Sequence, residues 1–499
     1  MPSDTVAGSG EARSGAAGLG RSFEVLLLST YELGHQPFGL ASPAAWLRAA
    51  GADVTSLDLA VQALDEDAVR RADLVAIYVP MHTATKLAVP VAKRVTALNP
   101  AAHLCFYGLY APVNEAFLRS LGAATVLGGE FEEALVSVVR RLAATDAGTP
   151  PPRQPEPLIS LDRLAFRTPD RSDLPQLDRY AYLDLGAGAR KVVAYTEATR
   201  GCKKLCRHCP IVPVYNGRFR VVQRDVVAED VRQQVAAGAE HLSFGDPDFF
   251  NAPTHALSVV TRLHEEFPQL SYDVIIKIEH LLKYAEHLPT LRDTGCLFVT
   301  SAVESVDDAI LERFDKRHTR EQFIEVVRLF RELGLTLNPT FVTFTPWTTP
   351  EGYLDLLGLL AELGMVDNVP PVQWAIRLLV PEGSRLLELP EMAGLLGDFD
   401  AHALFYPWRH RDPRVDELYD AVMETVKQGH RDRASRREVF SRVWKVAAAA
   451  CPDVTPPESA LAAVATLEAG TDAGRPSPSM SEPWYCCAEP TEEQLAPTV

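Results

Sequence analysis

Between Val192 and Leu379 the chain repeats one pattern six times, a short apolar run followed by a helical stretch. The runs are VVAYTEA, HLSFG, YDVIIKI, CLFVTSAV, LTLNPTFVTF and PVQWAIRLL. Helices are predicted among them at Val226–Ala237, Ala256–Phe267, Leu281–Thr294, Asp307–Phe314, Glu321–Leu333 and Glu351–Leu363. Runs that are apolar throughout need cover on both faces, which crossover helices give to a parallel sheet. Six βα units over 186–385 therefore predict a partial (β/α)6 TIM-like barrel, with its chemistry at the carboxyl ends of the strands.

A second βα series precedes it. FEVLLLST, a strand around Val54–Leu57, DLVAIYVP, HLCFYG and a short strand around Ala124–Leu127 alternate with helices such as Ala84–Leu98 and EEALVSVVRRLA. The fold class is α/β, with a Rossmann-like domain over 22–145 ahead of the barrel. Residues 146–185 are rich in Pro, Arg and Asp and read as an extended linker. The pattern turns helical over 386–469, and 470–499 reads as a flexible tail. Residues 1–21, rich in Gly, Ala and Ser, read as a disordered leader without the basic start and apolar stretch of a secretory signal, which implies a cytoplasmic protein. Forty-nine Lys and Arg against 66 Asp and Glu give a net charge of −17, which argues against nucleic acid as a partner. No run of about 18 apolar residues exists, which argues against a membrane span.

Eight cysteines are unevenly placed. Cys105, Cys296 and Cys451 stand alone in apolar contexts and read as small core residues. Cys202, Cys206 and Cys209 cluster as C-x3-C-x2-C in TEATRGCKKLCRHCPI, directly after the first barrel strand. Three thiolates in one loop can hold three irons of a [4Fe–4S] cluster and leave the fourth open to a chelating ligand, with Lys203, Lys204 and Arg207 offsetting the anionic sulfur. The alternative is a closed zinc site with His208 as fourth ligand.

At this loop the chain resembles the radical SAM superfamily, in which the open iron binds the amino and carboxylate groups of S-adenosylmethionine and one electron cleaves a carbon–sulfur bond. The resemblance carries the cluster ligands onto Cys202, Cys206 and Cys209. His208 stands where the family usually has an aromatic residue. In SFGDPDFFN, Asp246 and then Asp248 fall where relatives contact the methionyl amino group. Ser301 and Glu304 of SAVES fall where they contact the ribose or carboxylate, and Lys316 of FDKRHT falls near the carboxylate. The resemblance also implies an electron donor such as flavodoxin or ferredoxin.

An α/β domain ahead of such a barrel is similar to the cobalamin-binding domains of class B radical SAM enzymes, and GGEFEEAL resembles the GEGE segment that ends them. The DxHxxG motif that supplies an axial histidine is absent, since Leu33 stands where the Asp would be and His35 and His82 read as loop histidines. Cobalamin is thus an expected cofactor of the domain or the domain is a shield over the barrel mouth.

Cys486 and Cys487 are adjacent in a polar context after GTDAGRPSPSMSEP. Adjacent thiols of this kind ligate a second metal, act as a redox couple, chelate a soft element such as trivalent arsenic, or are incidental. The segment CCAEP on this barrel resembles the CUAEP/CCAEP-tail radical SAM family. That resemblance implies organoarsenical biosynthesis, with arsenite held by Cys486 and Cys487 as catalytic residues and the 3-amino-3-carboxypropyl group of S-adenosylmethionine as the group transferred. Two rivals stand beside it: a 5′-deoxyadenosyl-radical enzyme, cobalamin-dependent or not, that methylates or rearranges a carbon or phosphorus substrate, and a non-catalytic iron–sulfur or zinc module.

Overall fold

The computed structural model describes residues 23–145, 154–469 and 476–482. Strands β1 (Glu24–Ser29), β2 (Asp53–Asp58), β3 (Leu74–Tyr78), β4 (His103–Tyr107), β5 (Thr125–Gly129) and β6 (Ile159–Ser160) form one parallel sheet in the order β2-β1-β3-β4-β5-β6. Strands β1, β3, β4 and β5 are buried on both faces, as their continuous apolar runs require, while the edge strand β2 is exposed or half-buried at alternate positions. Leu27, Ala76 and Cys105 pack to one side, and Leu26, Val75 and Phe106 to the other. The chain steps from β1 outward to β2, then back across to β3. This reversal opens a crevice at the carboxyl ends of β1 and β3, where open α/β sheets place ligands.

The second sheet combines β7 (Tyr182–Asp184), β8 (Arg190–Thr196), β11 (His241–Phe244), β12 (Ser271–Ile275), β13 (Cys296–Glu304), β14 (Leu337–Phe341) and β15 (Ser479–Met480); the short hairpin of β9 (Thr199–Gly201) and β10 (Phe219–Val221) stands apart. The order is β14-β13-β12-β11-β8-β7-β15, with β8 and β11 to β14 parallel and the β7 and β15 pairings antiparallel. The sheet curls into a half-barrel. Ala194, Leu242, Val274, Val299 and Leu337 point outward into the core beneath the helices. Tyr195, Ser243, Asp273, Thr300 and Asn338 point inward, around a cavity of about 1030 Å³.

Three expectations change on contact with this architecture. The sixth run, PVQWAIRLL, is not a strand. Pro371–Ala375 forms a 3-10 helix, and the run joins the barrel through one parallel bridge, Phe344 to Arg377. Pro370 and Pro371 lack the N–H groups that a ladder needs. Fully buried Trp374 instead turns toward Phe440, 5.5 Å between ring centroids, on the C-terminal helices. Those helices are Pro413–Arg431, Arg436–Ala450 and Glu458–Ala469, preceded by short turns rather than a continuous helical region.

The linker expectation changes too: its described part, 154–185, gives β6 to the first sheet and β7 to the second and is docked between them. Leu164, Phe166 and Leu177 are buried, and Arg171 grips Asp230 at 2.8 Å. Nor is the tail a free tether throughout. Ser477 N donates to Asp367 O (3.2 Å), β15 pairs with β7, and Asn338 Nδ2 on β14 donates to Pro478 O at 2.9 Å. Residues 476–482 thus lie across the gap between the first and last strands of the half-barrel. The leader and Cys486 and Cys487 lie outside the described residues. Among the described residues, no helix is long and apolar enough to cross a membrane.

Candidate active site at the barrel mouth

The three-cysteine loop leaves β8 at its carboxyl end and is framed by the β9–β10 hairpin. Gly201 makes the turn into it at φ +77°, and a Cβ there would sit 2.4 Å from Tyr215 Cδ1 and 2.7 Å from Arg218 O. Gly201→Ala should therefore combine backbone strain with a steric clash, costing roughly 1–3 kcal/mol. Thermal melts together with iron content after reconstitution check this, and both should fall.

Cys202 and Cys206 are buried and Cys209 is half-buried. Asn251 clamps the start of the loop, accepting from Lys203 N and donating to Gly201 O, each at 3.2 Å. Lys277, at the end of the third barrel strand and nearly fully buried, donates to Cys206 Sγ at 3.0 Å. Burial opposes the charge on Lys277, but the sulfurs of Cys206 and Cys202 and the Asp248 carboxylate outweigh it and hold its proton affinity up. Burial, with Asp248 nearby, pushes the Cys202 thiol up to about 11, so ionisation is coupled to the arrival of a cation at the loop. The donor set fits an iron–sulfur cluster: three thiols on one loop, with a buried ammonium to offset their charge.

The zinc alternative needs His208 turned to the sulfurs. Instead His208 Nε2 donates to Glu304 Oε1 at 3.1 Å, with its ring 4.4 Å from that of Phe314. Among the described residues, no three His, Cys, Asp or Glu side chains converge as ligands of one metal ion would.

The other expected residues fall around this loop in two groups. On the β11 side, Asp246 is fully buried and committed to the loop backbone, Oδ2 accepting from Ala198 N (2.8 Å) and Oδ1 from Thr199 Oγ1 (2.5 Å). Desolvation raises its carboxyl to about 7. Asp248 is the more available carboxylate. Its Oδ2 lies 2.6 Å from His280 Nδ1, out of line for a hydrogen bond, and neither oxygen has another partner among the described residues. On the β13 side, Ser301 Oγ is buried without a hydrogen-bond partner among the described residues. Glu304, at φ +69°, accepts from His208 and from Lys316 Nζ at 3.2 Å. Burial disfavours its charge, yet Lys316 and His208 pull the carboxyl down to about 2. Ser301 Oγ, and Asp248 with only His280 against it, fit a polar ligand such as S-adenosylmethionine beside the cysteine loop.

Sequence reasoning missed Lys277 and His280, in IIKIEH, and the role of Arg200. Arg200, two residues before Cys202, reaches Glu197 (2.6 Å), Glu132 (2.7 Å) and Glu130 (3.2 Å), and Tyr215 OH also donates to Glu130. Glu130 and Glu132 belong to GGEFEEAL, so this segment fastens the N-terminal domain to the cysteine loop. The signal was in view, since an Arg beside a metal loop and three acids elsewhere need one another once buried.

The N-terminal crevice opens on the same mouth. Tyr31, Leu33 and His35, from the loop after β1, line the barrel cavity, and His35 stacks on Tyr195 at 4.6 Å. Burial lowers His35 to about 4, which keeps it neutral. Glu32 Oε2 and His82 Nδ1, in the loops after β1 and β3, are buried without hydrogen-bond partners among the described residues. Orphaned polar atoms at a topological switch point fit a ligand such as cobalamin in the crevice.

Residues 196–360, which hold the cysteine loop and most of the half-barrel, match the family model of the Radical SAM superfamily. The tRNA-2-methylthio-N(6)-dimethylallyladenosine synthase of Desulfosudis oleivorans is 22% identical over 222 residues, 41% of this chain and 45% of that protein. The hopanoid C-3 methylase of Methylococcus capsulatus is 24% identical over 332 residues, 62% of each. The chain spans about half the length of the first curated relatives it matches. Among solved structures, the cobalamin-dependent S-adenosylmethionine radical enzyme OxsB with aqua-cobalamin bound has a TM-score of 0.60 at 14% identity, covering 90% of this chain and 76% of that one. The radical S-adenosylmethionine methyltransferase TsrM from Kitasatospora setae, with cobalamin and a [4Fe–4S] cluster bound, has a TM-score of 0.52 at 17% identity, covering 68% and 70%. At such identities the likeness is one of fold.

Proposed function

We infer that the protein is a radical SAM group-transfer enzyme, with Cys202, Cys206 and Cys209 holding a [4Fe–4S] cluster and the crevice after β1 and β3 holding cobalamin. One observation carries this reading. Tyr31, Leu33 and His35 of the crevice loop line one cavity together with Tyr195, Gly245 and Thr300, the strand-end residues from which the chain runs on to the cysteine loop, to Asp246 and to Ser301. Bound there, the cluster supplies an electron to S-adenosylmethionine and cobalamin supplies a methyl carrier. The chain's own residues do the positioning. Lys277 offsets thiolate charge, and Asp246 and Asn251 hold the loop backbone. Asp248, Ser301, Glu304 and Lys316 supply polar groups to the methionyl and ribose portions. The half-barrel and the docked tail exclude water from the cavity where a carbon or phosphorus acceptor sits. Reduction comes from a small electron-transfer protein of the flavodoxin or ferredoxin type.

A second reading is favoured by β15. The strand pins the tail on the cavity wall, where Met480 and Glu482 line the cavity, and Cys486 follows four residues after Glu482. At about 3.3–3.6 Å per residue that interval spans at most roughly 14 Å, so the cysteine pair stays within reach of the mouth. In this reading Cys486 and Cys487 hold trivalent arsenic, which receives the 3-amino-3-carboxypropyl group.

One experiment separates the two. The protein is reconstituted anaerobically with iron and sulfide, reduced, and given S-adenosylmethionine with hydroxocobalamin, with arsenite, with both and with neither. Cobalamin retained through gel filtration, with 5′-deoxyadenosine or S-adenosylhomocysteine formed, supports the first reading. Arsenite-dependent methylthioadenosine, lost when Cys486 and Cys487 are both replaced by serine, supports the second. No cleavage of S-adenosylmethionine under any condition sinks both.

A further inference from the structure

The half-barrel cavity has a charge pattern that the chain as a whole does not. The protein carries −17 at pH 7, yet the turn between the helices Pro413–Arg431 and Arg436–Ala450 brings Lys427, His430, Arg431, Arg433 and Arg436 to one edge of the cavity. The acids that line the same cavity are engaged. Asp273 accepts from Ser243 Oγ at 2.5 Å and lies 3.0 Å from His241 Nε2, and Glu482 accepts from Tyr31 OH. The acids near the basic turn are committed as well: Glu424 to Arg431 (2.5 Å), Asp432 to Arg442 (2.7 Å) and the Asp367 carboxylate to Arg437 (2.5 Å).

Among the described residues, the hydrogen-bond partners of Arg436 are neutral, with the Asp367 and Asp184 carboxylates acting on it only at longer range. It donates to Ser479 Oγ (2.7 Å), to Ser477 Oγ (3.2 Å) and to the Asp367 carbonyl. Its guanidinium is half-buried, and burial presses its proton affinity down. A half-buried guanidinium whose cavity-side hydrogen bonds go to neutral oxygens can take a counter-ion from the cavity. Arg433, on the turn between the two helices at φ +54°, is exposed and also lines the cavity. The same cavity is also lined by Gly245 and Thr300, immediately before Asp246 and Ser301 in the chain. A molecule anchored at Arg436 therefore extends toward the cysteine loop.

We propose that this basic edge is the anion-recognition end of the substrate cavity, and that the substrate is a small organic acid carrying a carboxylate or phosphorus oxyanion, bound at Arg436 and steered by Arg433. The inference rests on the reading above that the cavity is the substrate site. It adds the chemical class of the molecule that enters. The basic residues supply long-range attraction at the rim and a partly desolvated ion pair inside, in a chain that otherwise repels anions.

The test uses the full chain with its cluster reconstituted. Glutarate, propylphosphonate and neutral glutaramide are titrated calorimetrically against the wild type, Arg436→Met and Arg433→Glu. Arg436→Met keeps the aliphatic stem that packs near β15. Arg433→Glu lies on an exposed turn and serves should the first variant loosen the tail. At least one anion should bind at a single site on the order of tenfold more tightly than glutaramide. Arg436→Met should abolish that preference, and Arg433→Glu should weaken the anion roughly two- to fivefold, with the loss shrinking in high salt. Whichever anion binds more tightly identifies the acid group. Equal binding of the neutral diamide, or anion binding untouched by both variants, overturns the proposal. Cleavage of S-adenosylmethionine by the same preparations is measured in parallel. Cleavage without anion preference rejects only the substrate class, whereas absence of cleavage rejects the underlying enzymatic reading.

Discussion

Cys206→Ser should leave a folded protein that holds no [4Fe–4S] cluster. Cys206 is the thiol that Lys277 approaches to 3.0 Å, at the centre of the loop between Cys202 and Cys209. A serine hydroxyl stays protonated near neutral pH and offers iron a hard, neutral oxygen, and two thiolates on this loop cannot hold a four-iron cluster. Iron and sulfide content should fall to background, and reductive cleavage of S-adenosylmethionine by roughly a thousandfold or more, as expected when one member of a unit is removed. Far-ultraviolet circular dichroism should change little, because β9, β10 and the barrel strands are held by their own ladders. Cys105→Ser and Cys296→Ser are the controls. Both thiols are fully or nearly fully buried and pushed up in pKa by burial, so these changes should lower stability and leave iron content alone. Full iron content in Cys206→Ser would refute the ligand assignment.

Lys316→Met should be the most destabilising single change in the outer part of the site. It removes the ammonium that faces the Glu304 carboxylate inside a fully buried trio with His208. Breaking a buried pair by deleting one partner costs about 3–5 kcal/mol, because the remaining charge is left without compensation. A Tm drop of several degrees should report it. The acid dependence should change as well. Glu304 is held at about 2 in the folded protein, below the ordinary carboxylate value near 4.3, so it contributes stability above that ordinary value. The contribution is lost as pH falls toward about 2. Without Lys316 the folded-state pKa rises, so the variant's relative deficit should be large near neutral pH and shrink below about pH 4. Pairing Lys316→Met with Glu304→Gln in a double-mutant cycle should recover part of the loss. Strictly additive losses would mean that the two side chains do not act together.

The sequence made the barrel legible because its strands are buried on both faces and its helices are not. Arg320–Leu333 even carries its signal in full, with a Thr319 capping box and Gly334 as a left-handed stop. Cysteine spacing located the cluster loop for the same reason, since it is local. What stayed hidden depends on neighbours distant in the chain. Lys277 reads as one more charge in IIKIEH until the fold sets it against Cys206. Asp246 was expected to face a ligand because it follows a strand, yet the loop from β8 takes both of its oxygens. PVQWAIRLL has strand composition, but its neighbouring prolines and the pull of Trp374 toward Phe440 decide otherwise. GRPSPSMSEP looked like a tether because its composition makes no core. Its pairing with β7 uses backbone groups, which side-chain composition does not advertise.

That late pairing gives the molecule an order of assembly. β15 follows every other strand of its sheet in the chain, so on the ribosome the bowl formed by β7 to β14 stands open while the C-terminal helices are still being made. Translation from Phe341 to Ser479 occupies on the order of ten seconds. During that interval the cysteine loop and the crevice face solvent on the side that residues 476–482 later cross. Bulky cargo has its widest access then, and among the described residues β15 is the strand whose pairing narrows that access last.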